Sequence, residues 1–157
     1  WSSGEIAIRQ EHLATNLLGT QLRTLVTGFQ AVERPPRVLL TTLPDERHGL
    51  ALDMVSLYLA LHEATPLSLG VSTPVREIAK AAMALEADIV GLSVSLAAPL
   101  DDVIRETTSL LNELPRRVEL WLGGAGARGI DHAALGTKPA TSWGQIDDEL
   151  RRWRGAH

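Results

Sequence analysis

The chain has 157 residues, a formal net charge of −4, 45% hydrophobic and 22% charged residues, and no cysteine. This length suits one domain with a proper core plus an attached element, and the composition is that of a packed fold and not of a disordered chain. The charge leaves no basic field for a phosphate backbone, which argues against direct nucleic-acid contact. The lack of thiols excludes disulfides and thiolate metal sites, so a metal would need His, Asp or Glu, and a cytoplasmic location is expected.

The first predicted element is a helix. Ser2-Ser3-Gly4-Glu5 has the spacing of a capping box and precedes Leu13, Leu17, Leu18, Leu22, Leu25 and Val26, a stripe at helical spacing. A helix from about Gly4 to Thr27 follows, and its apolar side needs something to lie against. Residues 1–30 read as the C-terminal part of a helical cap module, and 31–36, with Pro35 and Pro36, as a linker. The start on Trp1 reads as a cut from a longer protein.

From residue 37 to 157 short apolar runs alternate with helical segments. Val38 to Leu43, Pro66 to Leu69, Asp88 to Ser93, Val118 to Leu122 and Ala140 to Trp143 read as strands. Helices are expected at about Gly49 to Ala64, Val75 to Leu85, Pro99 to Leu114 and Gln145 to Arg154. The alternation predicts an α/β domain with a five-stranded parallel sheet, flavodoxin-like (Rossmann-like), in the order 2-1-3-4-5. Ligands should then meet the carboxyl ends of strands 1, 3 and 4. The longest apolar run, Ile89 to Leu100, contains Ser93, Ser95 and Pro99 and is too short to span a bilayer.

Those strand ends carry the informative residues. The first leads into Glu46-Arg47-His48-Gly49-Leu50-Ala51, which puts an imidazole at the start of a helix with a carboxylate two positions earlier. A metal-binding His commonly gives its other ring nitrogen to a carboxylate, and Glu46 suits that part, although E-x-H alone equally describes a surface loop. The third strand leads into Ser93-Val94-Ser95 and the fourth into Gly123-Gly124. Small residues at adjacent strand ends leave a groove for a large ligand, or serve only as turns.

These segments resemble the B12-binding domains, whose pattern is D-x-H-x-x-G, then S-x-L, then G-G. Glu replaces Asp at Glu46, Ala replaces Gly at Ala51, and Ser95 replaces Leu. The resemblance implies that His48 takes the lower cobalt position of a cobalamin in place of the cofactor's own base, and that the displaced nucleotide tail enters the groove beside Ser93, Ser95, Gly123 and Gly124. Trp1, nine residues and then Glu11-His12 is similar to the W-x9-E-H signature of the MerR-type, light-responsive, adenosylcobalamin-dependent regulators, as are Glu-x-His and the run from Leu69 to Pro74 that includes Thr73. Helical rise separates Trp1 from Glu11 by roughly 15 Å, enough to cover different parts of one macrocycle.

The resemblance implies a binding or sensor module rather than an enzyme. Adenosylcobalamin is the expected form, methylcobalamin and hydroxocobalamin being the others. A DNA-binding output domain would lie outside this chain, and a homo-oligomer stays open. The alternative is the cobalamin shuttle of a corrinoid methyltransferase or mutase. Ser2 departs from the pattern, since the light sensors carry a His directly after the Trp.

Three further patterns are set aside. Gly124 to Gly129 fits G-x-G-x-x-G but follows the fourth strand instead of the first. A phosphoacceptor receiver would need an Asp where Ser93 stands. His62, His132 and His157 read as solvated, and Trp121 and Trp143 as core or groove wall.

Overall fold

A computed structural model describes residues 8–29 and 33–157, with the side chains of residues 8, 9 and 11 left aside. Its elements are α1 (Ile8–Phe29), β1 (Arg37–Thr41), α2 (Leu50–Leu61), β2 (Thr65–Gly70), α3 (Val75–Ala84), β3 (Ile89–Ser93), α4 (Leu100–Glu113), β4 (Glu119–Gly123), a 3-10 turn (Ala125–Ala127), α5 (His132–Leu135), β5 (Lys138–Ala140) and α6 (Trp143–Ala156). The five strands form one parallel sheet in the order β2-β1-β3-β4-β5, as the alternation predicts.

Alternate residues of the strands feed two cores, because successive side chains point to opposite faces. Leu39, Val90, Leu92, Leu120 and Leu122 pack with Ile78 and Ala82 of α3 and Val103 and Leu110 of α4. Val38, Leu40, Ile89 and Trp121 pack with Leu52 and Leu59 of α2 and Ile146, Leu150 and Trp153 of α6. Both faces of the sheet are thus covered, which is why the strands read as nearly continuous apolar runs.

Some boundaries differ from the sequence expectation, and each difference has a local cause. The helix after β1 stops at Leu61, because His62 caps it and Glu63 adopts a left-handed φ of 58°. The last strand lies earlier, at Lys138–Ala140, since Ser142 caps α6 through Gln145 N–H (3.3 Å) and makes Trp143 helical. Pro139 is tolerated there because β5 is an edge strand. The described part of the expected linker is tied down: Arg34 N–H donates to Thr65 Oγ1 (2.8 Å), and Arg34 also pairs with Glu63.

The capping box lies outside the described residues, and α1 continues through Gly28 to Phe29. It packs against α2 through the buried Gly19 and Val26 and the Arg23–Asp53 ion pair (2.6 Å). A Cβ on Gly19 would lie 2.8 Å from Asp53 Oδ2, so glycine lets the two helices approach. The leucine stripe is only partly used. Leu22 is half-buried, while Leu13, Leu17, Leu18 and Leu25 are each more than half exposed, because α2, against which α1 mainly packs, covers only one flank.

Candidate functional site

The loop after β1 is held by its backbone before any ligand is considered. Thr42 Oγ1 donates to the Glu46 carbonyl (2.7 Å) and accepts from Ser72 N–H (2.7 Å), and Ser72 N–H also reaches the Glu46 carbonyl (3.1 Å). Asp45 takes a left-handed φ of 66°, with its N–H on Ser72 Oγ (3.1 Å). The loop after β2 therefore braces the loop after β1 from behind. Thr73 belongs to this brace: its N–H donates to Thr42 O (3.3 Å) and its hydroxyl lies 2.9 Å from Thr41 Oγ1.

The brace aims Glu46 inward and His48 outward. Glu46 is 8% exposed, whereas the His48 side chain is 76% exposed. Glu46 Oε1 lies 2.5 Å from His48 Nδ1 and accepts His48 N–H (3.0 Å), while Oε2 accepts Ser95 N–H (3.2 Å). Burial pushes the Glu46 carboxyl up, but hydrogen bonds from Ser95 and His48 outweigh it and bring the pKa down to about 2. The carboxylate is therefore ionised and can only accept, so Nδ1 carries the proton in this contact. In neutral His48 the remaining lone pair is then on Nε2, facing out of the sheet edge.

The ionisation of Glu46 also has a sign in stability. Its folded pKa lies below the ordinary 4.5, so the stabilisation is fully present above about pH 4.5 and is lost as pH falls toward about 2. Glu46→Gln replaces one accepting oxygen with a donating amide that must face an N–H. A loss of about 10- to 100-fold in the affinity of a metal-bearing ligand on His48 is the expected result, measured by titration against the parent. Equal affinity would remove Glu46 from the site.

Two spaces open at this edge of the sheet, both touching Ser93. A cleft of about 280 Å³ lies toward α4, lined by Leu43, Glu46, His48, Val94, Asp102 and Glu106 among others. A narrower groove of about 70 Å³ runs between α2 and α6, lined by Leu40, Ala51, Val55, Gly91, Trp121 and Ile146, with Ser93, Gly123 and Gly124 at the strand ends. Its wall is apolar, and the Trp121 indole N–H is already spent on Glu119 Oε2 (2.9 Å). Gly91 faces Leu40, whose Cδ2 a Cβ would meet at 2.7 Å, so the glycine keeps this space from being filled.

Of the residues expected from the sequence, the structure brings Glu46, His48, Ser93 and Ser95 together, with Ala51, Gly123 and Gly124 on the groove. Trp1 lies outside the described residues, as does the Glu11 side chain, and His12 is exposed on α1. The two glycines also have a packing reason. A Cβ on Gly123 would lie 2.7 Å from Ala140 O, and one on Gly124, at φ 88°, would lie 2.3 Å from Val94 O.

Trp121 is groove wall, as expected. Trp143 is neither core nor groove wall, being 44% exposed and stacked on Tyr58. The other histidines keep solvent access, His157 being exposed and His62 and His132 partly so, while His62 also stacks on Tyr58, His132 meets Thr137 and His157 stacks on Trp153. Sequence reasoning did not single out Leu52, Val55 and Ile146 of the groove or Asp102 and Glu106 of the cleft. It also passed over Gly91, whose signal was a glycine inside an apolar strand.

No described group of three or more His, Asp or Glu can hold a metal ion. A lone, buttressed imidazole suits a metal whose other positions a macrocycle fills, and the apolar groove beside it suits an aromatic appendage. Fold and site thus put a lone, buttressed imidazole and an apolar groove at the carboxyl edge of one flavodoxin-like sheet.

The chain is 30% identical over 155 residues to the HTH-type transcriptional repressor CarH of Myxococcus xanthus, a match covering 99% of this chain and 51% of the relative. It thus spans about half the length of that curated relative. No family model matches. Among solved structures it resembles a cobalamin-binding protein from Desulfitobacterium hafniense (TM-score 0.63, 23% identity) and the monomethylamine corrinoid protein of Methanosarcina barkeri (TM-score 0.66, 16% identity). Each likeness covers 96% of this chain and 73% of the other, and each bears on the fold. Over nearly its whole length the chain is similar to about half of that repressor, and its fold is that of the two solved structures.

Proposed function

We propose that this chain is the cobalamin-binding sensor module of a regulator, with His48 as the lower cobalt ligand and adenosylcobalamin as the preferred form. The observation that carries the proposal is the His48–Glu46 contact, which holds Nδ1 and leaves Nε2 presented at the sheet edge beside an apolar groove. Glu46 and Ser95 support the ligand loop, and Ser93, Ala51, Gly91, Gly123 and Gly124 line the groove that the nucleotide tail would enter. Thr73 holds the loop from behind. The 30% identity to a transcriptional repressor supports regulation over catalysis.

Ultraviolet-visible spectra of the purified chain before and after adding adenosylcobalamin test this reading. A corrin spectrum that stays with the protein through gel filtration is the expected result. No retention would refute it, and a Soret band in the isolated protein would point to haem in the same place.

The adenosyl preference rests on Trp1, Glu11 and His12 as a cap above the macrocycle. When bound, the cofactor supplies a cobalt–carbon bond that visible light breaks, and the chain's part is to hold the adenosyl group and respond to its departure. Ser2 offers no second nitrogen. After illumination, nitrogen hyperfine splitting of the cobalt(II) form should report one histidine nitrogen; two that persist in His12→Ala would contradict this cap.

A further inference from the structure

The groove between α2 and α6 is too small for its proposed occupant. Its volume is about 70 Å³, whereas an engineered cavity of about 150 Å³ is what accepts benzene. The dimethylbenzimidazole of a cobalamin tail is bicyclic and larger still. The strands of the floor are fixed by the ladder, so widening must come from α2 and α6 moving apart.

Side chains that the cofactor site does not use tie these two helices together. Tyr58 of α2 donates its hydroxyl to Asp147 Oδ1 of α6 (2.8 Å). Its ring stacks on Trp143 of α6 at 4.5 Å between centroids, and on His62 at 4.1 Å. His62 Nε2 lies 3.7 Å from the same Asp147 oxygen. Arg154 of α6 donates to the carbonyls of His62 (2.6 Å) and Glu63 (3.0 Å), which closes the far end. The groove is lined from α2 by Val55 and Leu59, which flank Tyr58 in sequence, and from α6 by Ile146, which precedes Asp147. The ties therefore sit beside the residues that would have to separate.

Resting on the cobalamin reading above, we propose that Tyr58, Asp147 and Trp143 form a clasp that holds the tail groove shut and sets the rate at which a nucleotide tail enters. The clasp acts on the tail and not on the corrin ring. A corrinoid without the nucleotide, cobinamide, has nothing to insert, so its association should be indifferent to these residues.

The test is stopped-flow association of the full chain with aquocobalamin and with diaquocobinamide. Tyr58→Phe keeps the stack and removes the hydrogen bond; Asp147→Ala removes the same bond from the other helix and guards against a folding defect in either variant. The loss of one net hydrogen bond should speed cobalamin association about two- to tenfold in both variants, with the cobinamide rate unchanged. Adding Trp143→Ala to Tyr58→Phe should speed it further. An unchanged cobalamin rate, or equal acceleration for both corrinoids, would overturn the clasp. If the parent chain binds neither corrinoid, the functional reading itself fails, and the clasp with it.

Discussion

His48→Ala is expected to abolish the protein nitrogen signal on cobalt and to weaken cobalamin binding beyond the roughly 10- to 100-fold typical of losing a ligand's supporting partner. The physical basis is that His48 alone presents a free imidazole nitrogen at the carboxyl edge, with no described cluster of ligating residues to replace it. The fold should be little disturbed. The side chain is 76% exposed, and substitutions of that kind usually shift stability by within about 0.5 kcal/mol. Glu46 also keeps the backbone N–H groups of His48 and Ser95. With ring-labelled histidine, the parent's cobalt(II) spectrum should show coupling to one protein nitrogen, and the variant's should show none. Binding and spectrum both unchanged in the variant would remove His48 from cobalt.

Gly124→Ala is expected to act on the fold, destabilising it by more than about 3 kcal/mol, toward the upper end for single substitutions. Two independent penalties combine. The backbone sits at φ 88° and ψ 168°, a region essentially confined to glycine, where an L side chain is strained by about 1–3 kcal/mol. The added Cβ would also fall 2.3 Å from Val94 O, a carbonyl pinned by Gly126 N–H at 3.0 Å. Neither partner is a flexible side-chain tip, so the turn after β4 must lift away from the loop after β3. A urea midpoint equal to the parent's would show that the turn relaxes at no cost. The comparison with Gly91→Ala is informative, because the atom met there is the Cδ2 end of Leu40, which can rotate. That variant should be milder in stability and act chiefly by narrowing the groove.

The two glycine positions show why motif and packing are hard to separate by reading alone. Gly123-Gly124 was legible as a groove signal, yet both residues also let one loop lie against Val94 and Ala140. Glu46 was legible as a partner of His48 from a spacing of two. Its other hydrogen bond, to Ser95 N–H, links loops 49 positions apart and could not be read from either segment. The leucine stripe of α1 was read as a buried face. Periodicity reports which residues share a face; whether another helix covers that face is a tertiary matter, and here α2 reaches only the flank with Gly19, Leu22 and Val26.

By itself, the sequence determined the parallel sheet, its strand order and the edge on which Glu46, His48, Ser93 and Gly123 meet. Those follow from hydrophobic alternation and from the handed crossovers that join parallel strands, both of which are local or topological. Only the tertiary structure decided which imidazole nitrogen is free, because that depends on a buried carboxylate kept ionised by hydrogen bonds from another loop. It also decided the width of the groove between α2 and α6 and the Tyr58–Asp147 tie beside it, since groove width is the distance between two helices that share no local sequence.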